Sequence, residues 1–419
     1  MKLVYRTPID GHFFSGYYDK SPLNSKNNIL LCLKTDFIDR LPEIGDKAKL
    51  GFFDINKNDG FHPIENIHAF NWQQSNMLQW LGPNHDNEII YNNFETDKFI
   101  SKIVNLENYE SLCHDEPIYS VSQKGDVAFT IDFERHFWCR RGYAYSNIQE
   151  RNKNVKILPG DGIGKLDLKT GEAIKIIDIE TLIDKFNVNS MKKSTNWVEH
   201  VMPNPDCTRI AFLHRWRLDS GEIFAHLISC DVDGNNIRLL NNSGRFSHFC
   251  WQNNQTIFGW GSSNSTIARL RKNMSLITPL LPIAKKLYRM VIKSNPQIGL
   301  TNVSAALTGD SYLFIDENNG QTKKLNDKKM SRDGHPSFST SRPSILLTDT
   351  YPDQGKAQLI TYNISLKKIL NSLDLKSIKQ FDSTACRCDL HPKWSFDGNY
   401  ISVDTMDQGV RSIYVYRLD

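Results

Sequence analysis

One short pattern recurs along the chain and limits the folds that are open to it. Its best copy, HPKWSFDGNYISVD, begins at His391, and a second copy, HPSFSTSRPSILLTD, begins at His335. Both start with His-Pro and an aromatic residue, pass through a polar turn, and end in a run of apolar residues. Two apolar runs around a turn such as FDGN predict a β-hairpin. We therefore expect a chain built from repeated hairpins.

Weaker copies extend the repeat over the whole chain, at roughly 60 residues per block. Most blocks continue into a second strand-turn-strand segment, such as LISCDVDGNNIRLL or GIGKLDLKTGEAIKIID. Two hairpins per block give four strands, which is the blade of a β-propeller. The seven blocks are predicted to start near residues 17, 77, 116, 200, 248, 335 and 391.

The predicted fold is all-β, a single seven-bladed β-propeller of four-stranded blades covering residues 1–419. The last block ends in one strand, and the N-terminal KLVYRT is expected to complete its blade and close the ring. An array of two β-sandwich domains is the alternative, but sandwiches do not need a recurring His-Pro-x-aromatic start. Loop or helix insertions are predicted in blades 3 and 5, at about 134–155, 178–195 and 262–296.

Composition narrows the class of protein. With 39% hydrophobic and 23% charged residues, the chain fits a soluble globular protein. The net charge of +4 does not indicate nucleic-acid binding. We find no secretory signal and no apolar run long enough to span a membrane. Eight scattered cysteines are expected to be free thiols in the reducing cytoplasm.

The insertion in the fifth block contains a short basic amphipathic segment, 281–293. Its apolar side chains fall on one side of a predicted helix, and lysines and an arginine lie elsewhere on it. Such a helix can make peripheral contact with an anionic membrane or dock a partner. Packing against the propeller rim is the interpretation that we favour.

The first position of the repeat carries histidine in four of the seven blocks. The first strand of each blade lines the central channel, so equivalent positions on different blades face one another. Several histidines at one level suit a divalent ion such as manganese or zinc. The alternative is that His-Pro only caps each strand, with the imidazole bonded to the backbone. The predicted metal residues are His200, His248, His335 and His391.

Two of these histidines are preceded by an aspartate two residues earlier. Residues two apart on a strand point to the same side, so Asp333 and Asp389 are expected to orient His335 and His391.

Arginines and tyrosines near the block starts add a possible binding surface. Arginine binds carboxylates through two parallel hydrogen bonds, and tyrosine rings pack on sugar rings. Lys20, in contrast, is expected to be an exposed surface residue. The predicted catalytic residues besides His200 are His214, Arg215, Arg387, Tyr17 and Tyr143, and the predicted substrate-binding residues are Tyr18, Asp19, Arg141 and Tyr145.

Several chemistries are disfavoured because their motifs are missing from the sequence. There is no G-x-S-x-G nucleophile motif, no P-loop and no G-x-G-x-x-G fingerprint. A carboxylate pair for glycoside hydrolysis stays open, since acidic residues fall near the ends of several predicted strands. These are Asp19, Asp132, Glu199, Asp349 and Asp404.

The block resembles the TolB-like propeller repeat, H-P-x-W-S-P-D-G-x-x-I-A-F. More narrowly, HVMPNPDCTRIAFLHRW and the later His-initiated blocks resemble the oligogalacturonate lyases. That resemblance implies a cytoplasmic propeller that cleaves short polyuronides by β-elimination, with a divalent metal held by several histidines and a glutamine. The four block histidines are the candidate counterparts, and no residue of this sequence clearly matches the glutamine.

The resemblance also implies roles for the other residues. Arg215 and Arg387 would hold the uronate carboxylate, and Tyr17 or Tyr143 would assist the leaving group. The predicted partner is therefore an acidic oligosaccharide. The alternatives are a transferase or other glycan-modifying enzyme of bacterial surface-polysaccharide assembly, and a non-catalytic propeller that binds a partner.

Overall fold

The computed structural model describes residues 1–57, 59–148, 151–263 and 309–418. In these ranges the chain forms seven antiparallel sheets of four strands each, arranged as the blades of a propeller. The predicted all-β, seven-bladed architecture is confirmed. In each of the first six sheets the strands follow one another in chain order from the channel outwards.

Blade 1 contains β2 (His12–Phe14), β3 (Ile29–Thr35), β4 (Ala48–Asp54) and β5 (His62–Ile67). Blade 2 contains β6 (Gln79–Trp80), β7 (Glu88–Glu95), β8 (Lys98–Asn105) and β9 (Ser111–His114). Blade 3 contains β10 (Ser120–Val121), β11 (Val127–Ile131), β12 (Gly162–Asp167) and β13 (Ala173–Asp178).

Blade 4 contains β14 (Thr195–Pro203), β15 (Arg209–Arg217), β16 (Ile223–Asp231) and β17 (Arg238–Gly244). Blade 5 contains β18 (Phe246–Trp251), β19 (Thr256–Ser262), β20 (Asp310–Asp316) and β21 (Thr322–Lys324). Blade 6 contains β22 (Ser337–Ser339), β23 (Arg342–Asp349), β24 (Lys356–Asn363) and β25 (Lys368–Lys376). Blade 7 contains β26 (Lys393–Trp394), β27 (Tyr400–Thr405), β28 (Ser412–Arg417) and, from the N-terminus, β1 (Lys2–Arg6).

The N-terminal strand closes the ring, as predicted. β1 is the outermost strand of blade 7 and runs antiparallel to β28, with Lys2 opposite Arg417. Thr7 continues this contact, since its amide donates to the carbonyl of Ile413. Blade 7 therefore holds both ends of the described chain, and the edge of β28 is covered.

The hairpin turn in blade 7 follows from its sequence. The Asp397 carboxylate accepts hydrogen bonds from Ser395 Oγ at 2.6 Å and from the Asn399 amide at 2.9 Å. Ser395 Oγ in turn accepts from the Tyr400 amide, where β27 begins. Blade 1 departs from the repeat, because its inner strand starts at His12 and ends before the block residue Tyr17.

Neighbouring blades are joined by acidic or amide side chains of their second strands. Asp404 accepts from the amides of Ser15 and Gly16, both at 3.0 Å, and so ties blade 7 to blade 1. Asn92 accepts from the Ile118 amide at 2.7 Å and links blades 2 and 3. These contacts give hydrogen-bond partners to buried backbone amides next to the inner strands, which would otherwise be unpaired.

The insertions in blade 3 form the two α-helices of the described ranges. α1 (Phe133–Cys139) is capped by Asp132, which accepts from the Arg135 amide at 2.8 Å. α2 (Ile179–Phe186) packs Leu182 and Ile183 inwards. Most of the predicted blade 5 insertion, and all of its basic segment 281–293, lies outside the described residues. In the described ranges, no helix combines the length and the hydropathy that crossing a membrane requires.

All eight cysteines lie in the described ranges and are free thiols, which agrees with the sequence-based expectation.

Asp161→Asn is expected to change how stability depends on pH. Burial, together with the Asp132 carboxylate, raises the pKa of Asp161 to about 7. The folded chain therefore binds this proton more tightly than the unfolded chain. The resulting stability is present below about pH 4 and is lost as the pH rises through about 7. Chemical denaturation should show a smaller loss of unfolding free energy in Asp161→Asn than in the wild type between about pH 5 and about pH 8.

The exposed Asp219→Asn is the matched control and should follow the wild type. A pH dependence of Asp161→Asn equal to that of the wild type would contradict the assignment.

Candidate active site

Two tyrosines of blade 1 cross the central channel. Tyr17 Oη lies 2.8 Å from Nδ1 of His200 on blade 4. Tyr18 Oη donates to the carbonyl of Phe249 on blade 5, at 2.7 Å. Both tyrosines are 2% exposed, so their rings fill the axis instead of lining it.

A sharp bend at Gly16 sends these tyrosines across the ring. Gly16 has a φ of +99°, and a Cβ there would lie 2.6 Å from Ser75. The bend is held by Asp404, which also accepts from Ser15 Oγ and pairs with Lys393 Nζ at 3.3 Å. A short inner strand in blade 1 is the consequence, since the chain leaves the sheet after Phe14.

The four predicted metal histidines converge around the two tyrosines. The ring centroids of His200 and His248 are 5.2 Å apart, those of His248 and His335 are 4.3 Å apart, and those of His335 and His391 are 4.3 Å apart. The Tyr17 ring lies within 6.4 Å of all four. The four rings are 3% exposed or less. We call these six side chains the histidine–tyrosine layer.

Local backbone geometry aims the imidazoles into the channel. His200 and His391 have φ angles of +55° and +41°, a region that residues other than glycine rarely adopt. At His200 this conformation coincides with a break in the pairing of β14 with β15, between Glu199 and Met202. The inner strand is therefore kinked at this histidine.

The residue that orients His335 is Asp349, not Asp333, and the predicted orienting role of Asp333 is wrong. Asp349 accepts from His335 Nδ1 at 2.9 Å and from the His335 amide at 2.8 Å. Its second oxygen accepts from the His391 amide at 3.1 Å. Gly334 permits this approach, because a Cβ there would lie 2.0 Å from the Asp349 carbonyl oxygen. One carboxylate thus positions two inner strands.

His335, His391 and Asp389 form a cluster of potential metal-ligand atoms within the described residues. One atom from each lies within 4.8 Å of the others. Within the described part of the chain, the buried Nε2 atoms of His248, His335 and His391 have no hydrogen-bond partner. Burial holds the pKa of His391 well below the ordinary range, so this imidazole is neutral, the form that binds metals. Although burial disfavours the charged form of His335, the neighbouring carboxylates, Asp349 above all, raise the pKa of that imidazole. Two imidazoles and a carboxylate suit a manganese or zinc ion. These residues fit a metal ion, but the cluster contains only two of the four predicted histidines, with Asp389 in place of His200 and His248.

His200 is the histidine of the layer that contacts both Tyr17 and Glu199. Its ring is hydrogen-bonded to Tyr17 and lies 3.5 Å from Glu199. It is not one of the three clustered ligands. Burial, which outweighs the attraction of Glu199, lowers the pKa of His200 well below its usual range. His200 is thus a neutral imidazole paired with a phenol, an arrangement that suits proton transfer.

Three arginines lie above the layer and are partly exposed. Arg140 and Arg215 form ion pairs with Glu199, Arg140 at 2.6 Å. Arg387 donates from Nε to both oxygens of Asp389 and from an Nη to Tyr143 Oη at 2.8 Å. The three side chains are 24%, 12% and 21% exposed. We call them the arginine rim.

The charges of the arginine rim are unbalanced. Three guanidinium groups face two carboxylates, those of Glu199 and Asp389, which leaves one positive charge in excess. Although burial disfavours its charged form, Arg140 and Arg215 hold the pKa of Glu199 well below the ordinary range. The rim can therefore accept an anion without losing its own counter-ions.

Three residues predicted for the site lie outside it. His214 is bonded to Asn196 at 3.0 Å within blade 4. Arg141 is exposed and stacks on Phe137. Tyr145 is buried against Phe133, with ring centroids 4.8 Å apart. His214 lies in a repeat strand and the other two in the predicted insertion 134–155, but the side chains of all three pack away from the site.

Asp19 and Lys20 form an ion pair at 2.7 Å. The expectation that Lys20 is a surface residue is wrong, because it is 5% exposed.

Tyr351 belongs to the site and was missed in the sequence. It follows β23, and its Oη lies 3.2 Å from His248 Nδ1. Arg387 lies over its ring, with the guanidinium carbon 5.3 Å from the centroid. Its position could have been inferred from the sequence, because Tyr351 lies two residues after Asp349, where β23, the second strand of blade 6, ends.

No protein-family model matches the sequence, and no match was found among curated proteins. Solved structures do match. Oligogalacturonate lyase from Vibrio parahaemolyticus superposes with a TM-score of 0.58 at 12% identity, covering 100% of this chain and 93% of the other. An oligogalacturonate lyase in complex with manganese gives 0.58 and 12%, covering 100% and 92%. TolB from Acinetobacter baumannii gives 0.41 and 10%, covering 94% and 83%.

The two oligogalacturonate lyase structures show that the chain has the fold of those propellers. The resemblance expected from the repeats is therefore supported, and the activity has to be argued from the site.

Glu199→Gln is expected to destabilise the protein by about 3–5 kcal/mol, because it removes the shared counter-ion of Arg140 and Arg215. Chemical denaturation measures the change in unfolding free energy. The exposed Glu43→Gln is the control, with an expected effect of at most about 0.5 kcal/mol. Equal stabilities of the two variants would show that the ion pairs contribute little.

Proposed function

We propose that the protein is a lyase that cleaves an acidic, uronate-containing oligosaccharide by β-elimination. The observation that carries this proposal is the contact between the arginine rim and the histidine–tyrosine layer. Arg387 is bonded to Asp389 of the ligand cluster. Glu199, which pairs with the other two arginines of the rim, lies 3.5 Å from His200 of the layer. An anion held by the arginines would therefore lie next to proton-transferring groups.

The chemistry follows from the charge of the substrate. Neutralising a uronate carboxylate makes the neighbouring C5 proton more acidic, since charge that develops on the carboxylate in the transition state is stabilised. Arg387 and Arg215 would bind the carboxylate, as the sequence predicted, and Arg140 joins them. The neutral His200, paired with Tyr17, would receive the proton.

A divalent metal ion fits the same site. His335, His391 and Asp389 would hold it, with Asp349 fixing the orientation of His335. Such an ion supplies a Lewis acid that polarises a carboxylate. The manganese complex of one structural relative supports this assignment.

Arg387→Lys is expected to lower kcat/KM on oligouronates by about 10- to 100-fold, because an ammonium keeps the charge but loses the fork that binds a carboxylate. The ultraviolet absorbance of the unsaturated product measures the rate. Arg141→Lys is the matched control from the same neighbourhood and should behave as the wild type.

If the wild type produces no unsaturated uronate from any acidic oligosaccharide, the lyase proposal is wrong. A glycan transferase or a binding propeller would then be tested instead.

Purified protein is expected to contain about one manganese or zinc ion per chain, and the double variant His335→Ala, His391→Ala should lack it. Elemental analysis makes the comparison. His62→Ala, at a partly exposed histidine in the outer strand of blade 1, serves as control and should keep the ion. Equal metal contents in the wild type and the double variant would exclude these histidines as ligands.

A further inference from the structure

The site contains a second tyrosine–histidine pair beside the first. Tyr17 Oη lies 2.8 Å from His200 Nδ1, and Tyr351 Oη lies 3.2 Å from His248 Nδ1. The rings of the two histidines are 5.2 Å apart. Two phenols therefore approach the same part of the site from blades 1 and 6.

The surroundings of the two phenols differ. Tyr17 is 2% exposed and lies within the histidine–tyrosine layer. Tyr351 is partly exposed, with its ring 5.3 Å from that of His335 and under the guanidinium of Arg387. Tyr351 therefore lies between the arginine rim and the layer, on the side from which a rim-bound anion would approach.

Tyr143, the other phenol near the rim, is less suited to contact a leaving group. Its Oη accepts from Arg387, and Arg140 covers its ring with the guanidinium carbon 4.1 Å from the centroid. Its side chain is 8% exposed. Its contacts make it a support for the two arginines.

β-Elimination removes a proton from C5 and adds a proton to the oxygen that leaves C4. It therefore benefits from a base and an acid held a few ångströms apart. We propose that Tyr351 is the catalytic acid that protonates the departing glycosidic oxygen, while the Tyr17–His200 pair takes the C5 proton. This inference rests on the lyase function proposed above. It replaces Tyr17 and Tyr143, the residues that the sequence suggested for the leaving group.

The step balances without an oxidant or a further reactant. The electrons of the C5–H bond form the C4–C5 double bond, and the proton passes to His200. The bond between C4 and the glycosidic oxygen breaks with its electron pair on oxygen, which takes the phenolic proton of Tyr351. Water then restores that proton and removes the one on His200.

Tyr351→Phe tests the inference, because it removes only the hydroxyl. Product formation from a natural oligouronate should fall by about 10²- to 10⁴-fold. A uronate that carries fluorine at C4 needs no acid for its leaving group. With that substrate, Tyr351→Phe should release fluoride at close to the wild-type rate. Ultraviolet absorbance and a fluoride electrode measure the two reactions.

The matched control is Tyr362→Phe, which removes a hydroxyl bonded to Asp327 in the outer part of blade 6. It should leave both rates unchanged. Equal losses on both substrates in Tyr351→Phe would overturn the inference, since they indicate a structural role. Full activity on the natural substrate would overturn it too. Failure of the wild type on both substrates would instead refute the lyase function and the inference with it.

Discussion

The site depends on the way in which blade 1 fills the axis of the propeller. A ring of seven blades leaves a channel whose inner strands cannot pack against one another. Here Tyr17 and Tyr18 cross that space and bond to blades 4 and 5. The histidines pack around the two tyrosine rings, and His200 is hydrogen-bonded to the Tyr17 phenol. In a wider channel, water would occupy this space. Hydrogen bonds to blades 4 and 5 therefore hold the layer together across the axis.

Electrostatics then separates the layer into two kinds of histidine. Burial disfavours the charged form of His335, but the charge and hydrogen bond of Asp349, together with the charges of Asp389 and Asp333, raise the pKa of that imidazole. His200, His248 and His391 are instead kept neutral by burial. Below the arginine rim, the protein thus holds both neutral proton acceptors and unpaired ligand nitrogens within a few ångströms.

Much of this could be predicted from the repeat. A block that begins with the same residue in several blades must bring that residue to one level of the channel, which placed His200, His248, His335 and His391 correctly. The same reasoning could not identify Asp349 as the partner of His335, because Asp333 has the nearer position in sequence. The backbone at Gly334 comes close to Asp349, so the Asp349 carboxylate, at the end of β23, is the one that bonds to His335.

The sequence by itself determined the number of blades, the strand order within them, the closing N-terminal strand and the level of the histidines, since all of these follow from local patterns of apolar residues and turns. Only the tertiary structure decided which side chains meet. Tyr17 reaches His200 because Asp404, 388 residues from Gly16 in the chain, holds the bend at Gly16. Tyr351 and the pairing of Glu199 with two arginines likewise depend on blades that are distant in sequence. Such contacts arise from ring closure, which no local pattern encodes.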